Sequence, residues 1–270
     1  LSYLPTNVDE HAPRVLTGDD PARREESLIS IVPHEPRRVY KMRKVINAVF
    51  DKDSFFEIGE GWGRSIITGL ARIDGYPVAV FAEDGYIYGG AWTADGCRKL
   101  IRLLDLASTF HLPVVHLEDC PGFLIGKESE ENATIRYGSQ ALAALGQLTT
   151  PFACVVVRKA FGVAGAANNK PGASSFRYAW PSGDWGSLPL EGGLEVAYKA
   201  DLADSDDPLL WQHFEEWCEA SNDFPADYGS PEHIQRKLSY FATQVYAKMS
   251  EKVKWSRWGS HHWCLKEYLP

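Results

Sequence analysis

A run of small side chains follows one apolar stretch of the sequence. The segment "RKAFGVAGAANN", residues 158–169, follows the apolar run Phe152 to Val157, and after Phe161 it holds mostly glycine and alanine. A strand that ends here and turns into a helix leaves first-turn backbone N–H groups unused, with no bulky side chain around them. Two chemistries fit such N–H groups: a phosphate cradle, or an oxyanion hole for charge that forms during a reaction.

The spacing of the glycines separates these possibilities. Gly162 and Gly165 fit neither the GxGxxG nor the GxxxxGK[ST] pattern of nucleotide-binding loops, and no Lys-Ser or Lys-Thr pair follows them. An oxyanion hole is therefore favoured over a phosphate cradle. A structural alternative also stands, in which the helix packs so closely on the sheet that only small residues fit. The stretch alone leaves these two open.

Other groups with chemical potential are weaker candidates. Cys120 has no histidine placed by the sequence to activate it as a nucleophile. The carboxylates of "KESEEN" (127–132) fit a solvated loop better than an acid–base pair. The "HHWC" segment (261–264) offers soft-metal ligands but lacks a fourth ligand at a familiar spacing. We therefore predict no metal site.

Composition excludes several function classes. The chain has 270 residues, 44% of them hydrophobic, and a formal net charge of −8, which disfavours nucleic acid and anionic membranes as partners. Five cysteines without a CxxC pair indicate a reducing compartment, and the apolar runs are too short to span a membrane. We expect a cytoplasmic protein, or one of the mitochondrial matrix if the source is eukaryotic.

The elements that must position the small-residue run can be predicted from periodicity. Residues 40–50 place Met42, Val45, Ile46 and Val49 on one helical face, and two β-rich runs meet at Asp74-Gly75, a pair typical of a type I′ hairpin turn. Helices are predicted over 95–110 and about 131–147. The strands "PVVHLED" and "FACVVVRK" follow these helices.

Alternation of helices and strands predicts an α/β layer, in which ligands bind beyond the carboxyl ends of parallel strands. Both "DCPGF" (119–123) and "FGVAG" (161–165) fall at such ends. The Pro- and charge-rich residues 1–37 are predicted to be an extended arm or linker, residues 38–205 the α/β domain, and residues 206–270 a helical C-terminal extension.

Several segments together resemble one known family. The pieces "DCPGF", "IRYG", "VVRKAFG" and "YAWPS" occur in order and at natural spacings within roughly residues 1–200. They are similar to the C-terminal half of the carboxyltransferase (β) subunit of biotin-dependent acyl-CoA carboxylases, of the propionyl-CoA and acetyl-CoA carboxylase type. This resemblance implies the crotonase (ClpP/crotonase-like) fold, a spiral of ββα units.

The resemblance also implies a reaction, a cofactor and partners. Carboxybiotin on a carrier protein gives its carboxyl group to the α-carbon of an acyl-coenzyme A thioester, while backbone N–H groups at Val163 and Ala164 face the ureido oxygen of biotin. An N-terminal carboxyltransferase half or partner subunit, a biotin carboxylase and a biotin carboxyl carrier are the implied partners, in a hexamer-type oligomer. The implied biotin- and substrate-binding residues are Gly162, Gly165, Ala166, Pro121, Gly122 and Phe123.

The sequence departs from the family pattern within this segment. The family usually reads "RKAYGGAYDVMG", so Val163 replaces its second glycine and Ala166 replaces an aspartate that lies near the acyl chain. Pro189 replaces a residue that carries an N–H. Two alternatives therefore stay open: a crotonase-fold CoA-ester decarboxylase or hydrolase that works without biotin, and a non-catalytic assembly subunit.

Overall fold

The computed structural model describes residues 2–20, 22–35, 37–166 and 175–186. The predicted C-terminal extension, Pro189 and the "HHWC" segment lie outside these residues. The helices within them are α1 (Ser27–Ser30), α2 (Met42–Val49), α3 (Ala94–Thr109), α4 (Lys127–Glu131), α5 (Thr134–Gln147) and α6 (Gly162–Ala166). The strands are β1 (Phe56–Glu57), β2 (Ile66–Ile73), β3 (Tyr76–Glu83), β4 (Val114–Cys120), β5 (Phe152–Phe161), β6 (Ser175–Ala179) and β7 (Asp184–Gly186).

These strands form one mixed sheet in the order β1-β2-β3-β4-β5-β6, with β7 also paired to β5. β1, β2 and β3 pair antiparallel, whereas the pairs β3–β4, β4–β5 and β5–β6 are parallel. The crossovers from β3 to β4 and from β4 to β5 pass through α3 and α5. The predicted alternation is confirmed, and the carboxyl ends of β4 and β5 meet at one edge of the sheet.

The hairpin between β2 and β3 forms where the Asp-Gly pair predicts it. Asp74 and Gly75 both have positive φ, 49° and 78°, and Ile73 pairs with Tyr76 across the turn. The Asp51 carboxylate accepts hydrogen bonds from both turn N–H groups, at 2.9 and 2.8 Å. A side chain thus stabilises a turn whose backbone twist suits a two-residue hairpin.

The predicted arm, residues 1–37, lies along this hairpin. It contains no strand in its described positions, and α1 is its short helix. The Val15 N–H donates to the Gly75 carbonyl at 3.1 Å, and Arg14 pairs with the Asp74 carboxylate at 2.7 Å. The arm therefore contacts the domain, while the domain boundaries themselves stay a prediction.

Apolar side chains cover both faces of the sheet. One cluster packs α3 and α5 on it, with Leu100, Leu103, Leu104 and Ala107 of α3 all buried as predicted. A second cluster packs α2 on it. Of the face predicted for α2, Met42, Val45 and Ile46 are buried, but Val49 is 38% exposed, because the buried Phe50 follows it into the core.

The helix predicted over about 131–147 is confirmed as α5, and a short helix that was not predicted, α4, precedes it. Ala133, with φ of 57°, breaks the path between α4 and α5. The loop expected for "KESEEN" is therefore wrong, although its three glutamates are exposed as expected of a solvated segment. The buried Ser129 hydroxyl holds α4 in place through the Leu124 carbonyl at 2.5 Å and the Thr134 hydroxyl at 2.8 Å.

Candidate functional site

The small-residue run begins α6 directly at the end of β5. Gly162, with φ of 63°, turns the chain out of the strand, and Val163 and Ala164 are the next two residues of the helix. The helix start predicted here is confirmed. The first N–H groups of a helix are not used by its own hydrogen bonds and carry its positive end. Val163 is 64% exposed, whereas Ala164 is buried.

Close packing of α6 on β5 explains part of the glycine and alanine content. A Cβ added to Gly165 would lie 2.4 Å from the carbonyl carbon of Ala160, and Ala164 belongs to the core under α3. The structural alternative is therefore true of Gly165, and the positive φ explains Gly162. Ala166 ends the helix. Packing does not explain Val163, the exposed first-turn residue.

The loop after β4 lies beside the start of α6. Cys120 pairs with Ala160 in the parallel ladder, and a Cβ added to Gly122 would lie 3.8 Å from the Phe161 carbonyl oxygen. Pro121 and Gly122 are partly buried at this edge. The Phe123 ring packs edge-on against Trp92, with ring centroids 5.9 Å apart. The structure thus brings the two predicted loops together, and Phe123 anchors one of them in the core.

A buried ion pair joins the same two segments. Asp119 Oδ2 accepts from Arg158 Nη2 at 2.9 Å, and its Oδ1 accepts from the Lys159 N–H at 3.2 Å. Both side chains of the pair are almost wholly buried. Arg158 also donates to the Arg38 carbonyl at 2.7 Å and lies over the Tyr40 ring. The aspartate of "DCPGF" and the arginine of "VVRKA" are therefore partners that fix the end of β4 on β5.

A second group of buried polar residues was missed at the sequence level. His116 and Glu118 lie two apart on β4, and so face the same side of the sheet, and Cys154 is the register partner of His116 on β5. The Cys154 thiol donates to Glu118 Oε2 at 3.1 Å. Burial and the Glu118 charge raise the pKa of Cys154, which keeps this thiol protonated. A His-x-Glu pair inside a buried strand was the available signal.

The side chains of this group are of types that bind metals, but their hydrogen bonds argue against a metal site. Among the described residues, the His116, Glu118 and Cys154 donor atoms all lie within 4.8 Å of one another. Glu118 Oε2, however, already accepts from the Arg177 guanidinium at 3.0 Å as well as from the thiol. A cation of the protein itself thus balances the Glu118 charge, and the donor set does not fit a metal ion.

Cys120, the candidate nucleophile, is fully buried. Burial raises the pKa of Cys120, and its thiol lies 3.9 Å from the Gly122 carbonyl, so the thiol suits packing rather than nucleophilic attack.

In the part of the chain that the structure describes, no helix is long and apolar enough to cross a membrane.

Comparison with known proteins now assigns the chain. A profile of the carboxyl transferase domain matches residues 1–224. The chain belongs to the carboxyl transferase domain family. It is 35% identical over 209 residues to the propionyl-CoA carboxylase carboxyltransferase subunit of Haloferax mediterranei, covering 77% of this chain and 40% of that protein. It is 34% identical over 203 residues to the methylmalonyl-CoA decarboxylase subunit alpha of Veillonella parvula, covering 74% and 40%.

Solved carboxyl transferase structures confirm the fold. The chain is similar to transcarboxylase 12S, crystallised as a hexamer with methylmalonyl-coenzyme A, at a TM-score of 0.72 and 28% identity, over 92% of this chain and 49% of that one. The predicted α/β, crotonase-like fold is therefore correct. This chain spans about half the length, or less, of the relatives that it matches.

Proposed function

We propose that this chain supplies the biotin-facing half of a carboxyltransferase, which moves the carboxyl group of carboxybiotin to the α-carbon of an acyl-CoA. One observation carries the proposal: the exposed first turn of α6 follows β5 directly and adjoins the "DCPGF" loop at the same edge of the sheet. The names of the family relatives, a propionyl-CoA carboxylase subunit among them, give the reaction class and the thioester substrate.

The residues of the first turn fit a biotin ureido oxygen. Bound carboxybiotin would supply the carboxyl group, and its ureido oxygen would take up negative charge as the N–C bond to that group breaks. The Val163 N–H would donate toward this oxygen from the positive end of α6, and the family resemblance implies the Ala164 N–H as a second donor. Gly162 places no side chain beside the donors, and Pro121, Gly122 and Phe123 would form the neighbouring wall.

Fixed donors of this kind lower a barrier because they need no rearrangement when the charge appears. Removal of one oxyanion donor in other enzymes costs about 3 to 4 kcal/mol in the barrier. The packing of Gly165 on Ala160 and the buried Asp119–Arg158 pair hold the two loops rigidly, which is the property that such donors require. The α-proton that the acyl-CoA loses would go to the biotin nitrogen that gives up the carboxyl group, so the proposed mechanism needs no side-chain base from this chain.

A second function is favoured by one relative. The methylmalonyl-CoA decarboxylase subunit alpha indicates that the family includes a decarboxylase, so CoA-ester decarboxylation by the same first turn is the alternative. A non-catalytic assembly role is the remaining one, since Val163 and Ala166 depart from the family pattern.

The experiment uses the protein assembled with its partner chains and a biotinylated carrier. Incorporation of labelled carboxyl into acyl-CoA that avidin blocks supports the proposed function. CoA-ester turnover that avidin does not block supports the decarboxylase or hydrolase. Absence of both activities in an assembled complex supports the assembly role.

A further inference from the structure

Arg177 of β6 links the buried interior of the sheet to α6. A single nitrogen, Nη2, lies 3.0 Å from Glu118 Oε2 and 3.0 Å from the Gly165 carbonyl oxygen. Glu118 is fully buried on β4, and the Arg177 side chain is 28% exposed. The guanidinium therefore links the Gly165 carbonyl of α6 to a carboxylate that is shielded from solvent.

The carboxylate end of this link is held by further buried groups. The Cys154 thiol donates to the same Glu118 oxygen and lies 3.6 Å from His116 Nδ1. His116 Nε2 lies 2.9 Å from Glu83 Oε1, and the ring stacks on Phe81 at 3.9 Å.

Glu83 connects this chain of contacts to the other loop of the candidate site. Its carboxylate accepts from Trp92 Nε1 at 3.0 Å and from the Asp119 N–H at 2.8 Å. Asp119 begins the "DCPGF" loop, and Gly165 lies in α6. This network of polar contacts, most of them buried, thus reaches both loops.

The helix that this network reaches, α6, is too short to keep its orientation without contacts to the rest of the domain. With five residues, α6 is far below the length at which a helix is stable alone. Its orientation therefore depends on contacts at its sides and ends. Two are seen on Gly165: backbone packing on Ala160, and the hydrogen bond from Arg177.

We propose that Arg177 is a positioning residue for the first turn of α6, held in place by Glu118. The inference rests on the proposed function: Arg177 touches no reacting atom, and it acts by fixing the direction in which the Val163 N–H points. A misplacement on the order of 1 Å in a catalytic group costs about 100-fold in rate. Loss of the anchor therefore lowers turnover and leaves the binding of acyl-CoA to the rest of the enzyme unchanged.

The first test compares three variants in the enzyme assembled with its partner chains and biotinylated carrier. Arg177→Met removes the donor and keeps the aliphatic stem, Arg177→Lys keeps a charged donor, and Arg102→Met on the exposed side of α3 is the control. We expect Arg177→Met to lower kcat about 10- to 100-fold with an unchanged KM for acyl-CoA. Arg177→Lys restores most of the loss, and Arg102→Met matches the wild type.

The second test follows α6 without measuring activity. A nitroxide on Val163→Cys, with Cys218 and Cys264 replaced by serine, reports the motion of α6 by electron paramagnetic resonance. A label on Ile135→Cys in α5 is the control. Adding Arg177→Met mobilises the label at 163 and leaves that at 135 unchanged. Adding Glu118→Gln, which keeps the shape and removes the charge, gives a smaller change of the same sign.

Two results overturn the inference: an unchanged spectrum at 163 in Arg177→Met, or a loss of kcat that the lysine variant shares in full together with a lower melting temperature. The second would mean a role in folding alone. A mobilised label in a complex that never carboxylates acyl-CoA has a different meaning, since the positioning role then stands and the proposed function fails.

Discussion

Gly165 and Ala160 meet backbone to backbone, so closely that a methyl group on Gly165 would lie 2.4 Å from the Ala160 carbonyl carbon. Real side chains do not approach a backbone atom to that distance, and the carbonyl carbon cannot rotate aside. This contact sets the position of α6 on the end of β5. It also makes the smallest side chain a requirement of packing here, separately from any ligand.

Gly165→Ala is the first prediction. We expect it to lower the free energy of unfolding by about 1 to 3 kcal/mol, the usual cost of adding volume to a packed site. Gly146→Ala in α5 is the matched control, because nothing lies within 4 Å of its added Cβ. Alanine is the better helix former, so this control is expected to gain up to about 1 kcal/mol. Urea unfolding of the three proteins measures both, and equal stabilities would contradict the packing argument.

The second prediction concerns the proposed donor at Val163. Val163→Pro removes its N–H while the exposed side chain leaves room for the ring, and proline is tolerated in the first turn of a helix. We expect the assembled enzyme to lose about 100- to 1,000-fold in kcat. Val163→Ala keeps the N–H and is expected to retain near wild-type turnover. Ala164 does not suit this test, because its burial would add strain to the loss of the donor.

Full activity in a folded Val163→Pro protein would exclude this N–H from the reaction. Circular dichroism and the melting temperature of both variants show whether the fold is intact. Equal losses in the proline and alanine variants would instead assign the effect to the side chain.

The buried Asp119–Arg158 pair is the third prediction. Arg158→Met leaves the Asp119 charge buried without its partner, which typically costs about 3 to 5 kcal/mol. Lys127→Met breaks an exposed pair with Glu131, whose nitrogen and oxygen are 3.7 Å apart, and is expected to change stability by less than about 1 kcal/mol. Chemical denaturation gives both values. A loss below about 1 kcal/mol in Arg158→Met would show that the pair does not hold the two loops.

Local chemistry explains which parts of the fold could be predicted from the sequence. The Asp74-Gly75 turn and the start of α6 at Gly162 depend on conformations that neighbouring residues fix, so short patterns identify them. The break at Ala133 does not, because alanine gives no signal for positive φ. The break is stabilised by contacts of the buried Ser129. In the sequence this serine stands among glutamates, which gives no sign that it is buried.

The buried network could not be assembled from the sequence for a different reason. Glu83, His116, Cys154 and Arg177 lie on four strands, and their contacts depend on the register between those strands. Register between parallel strands is set by the packing of the whole sheet, not by residues near one another in the chain. The candidate loops were found because each is a continuous motif.

Lys99 gives the fourth prediction, on pH. Burial lowers the pKa of Lys99 to about 8, and its Nζ donates to the Gly59 carbonyl at 3.1 Å. In the unfolded chain a lysine has a pKa of about 10.4, so between roughly pH 8 and 10.4 the unfolded state binds more protons. This lysine therefore lowers stability below pH 8, and the loss disappears as the pH rises toward 10.4.

Lys99→Met tests this directly. We expect the variant to melt above the wild type at pH 7 and the gap to narrow as the pH rises to about 10.4. Other groups titrate in both proteins, so the difference in melting temperature isolates this one. Lys127→Met, whose side chain is 90% exposed, is expected to show no such trend. A gap that is constant or widens with pH would contradict the assignment.

The last prediction is that residues 1–270 alone do not carboxylate acyl-CoA. The chain spans 40% of the Haloferax mediterranei subunit and 49% of the transcarboxylase 12S chain. The family resemblance implies that the half which binds CoA comes from elsewhere in the assembly. Large apolar residues in α6, β6 and β7 are 54 to 64% exposed: Val163, Phe176, Tyr178 and Trp185. Such a surface fits a protein interface better than water.

The test purifies residues 1–270 alone and together with a separately expressed N-terminal carboxyltransferase half. Acyl-CoA carboxylation is measured with carboxybiotin as the donor, and the mass of each species by light scattering. We expect activity only in the mixture, in an oligomer that contains both chains. An interface of the obligate kind buries more than about 2,000 Å², so the isolated chain should self-associate at its apolar surface. Robust activity from a monodisperse monomer would show instead that these residues contain a whole active site.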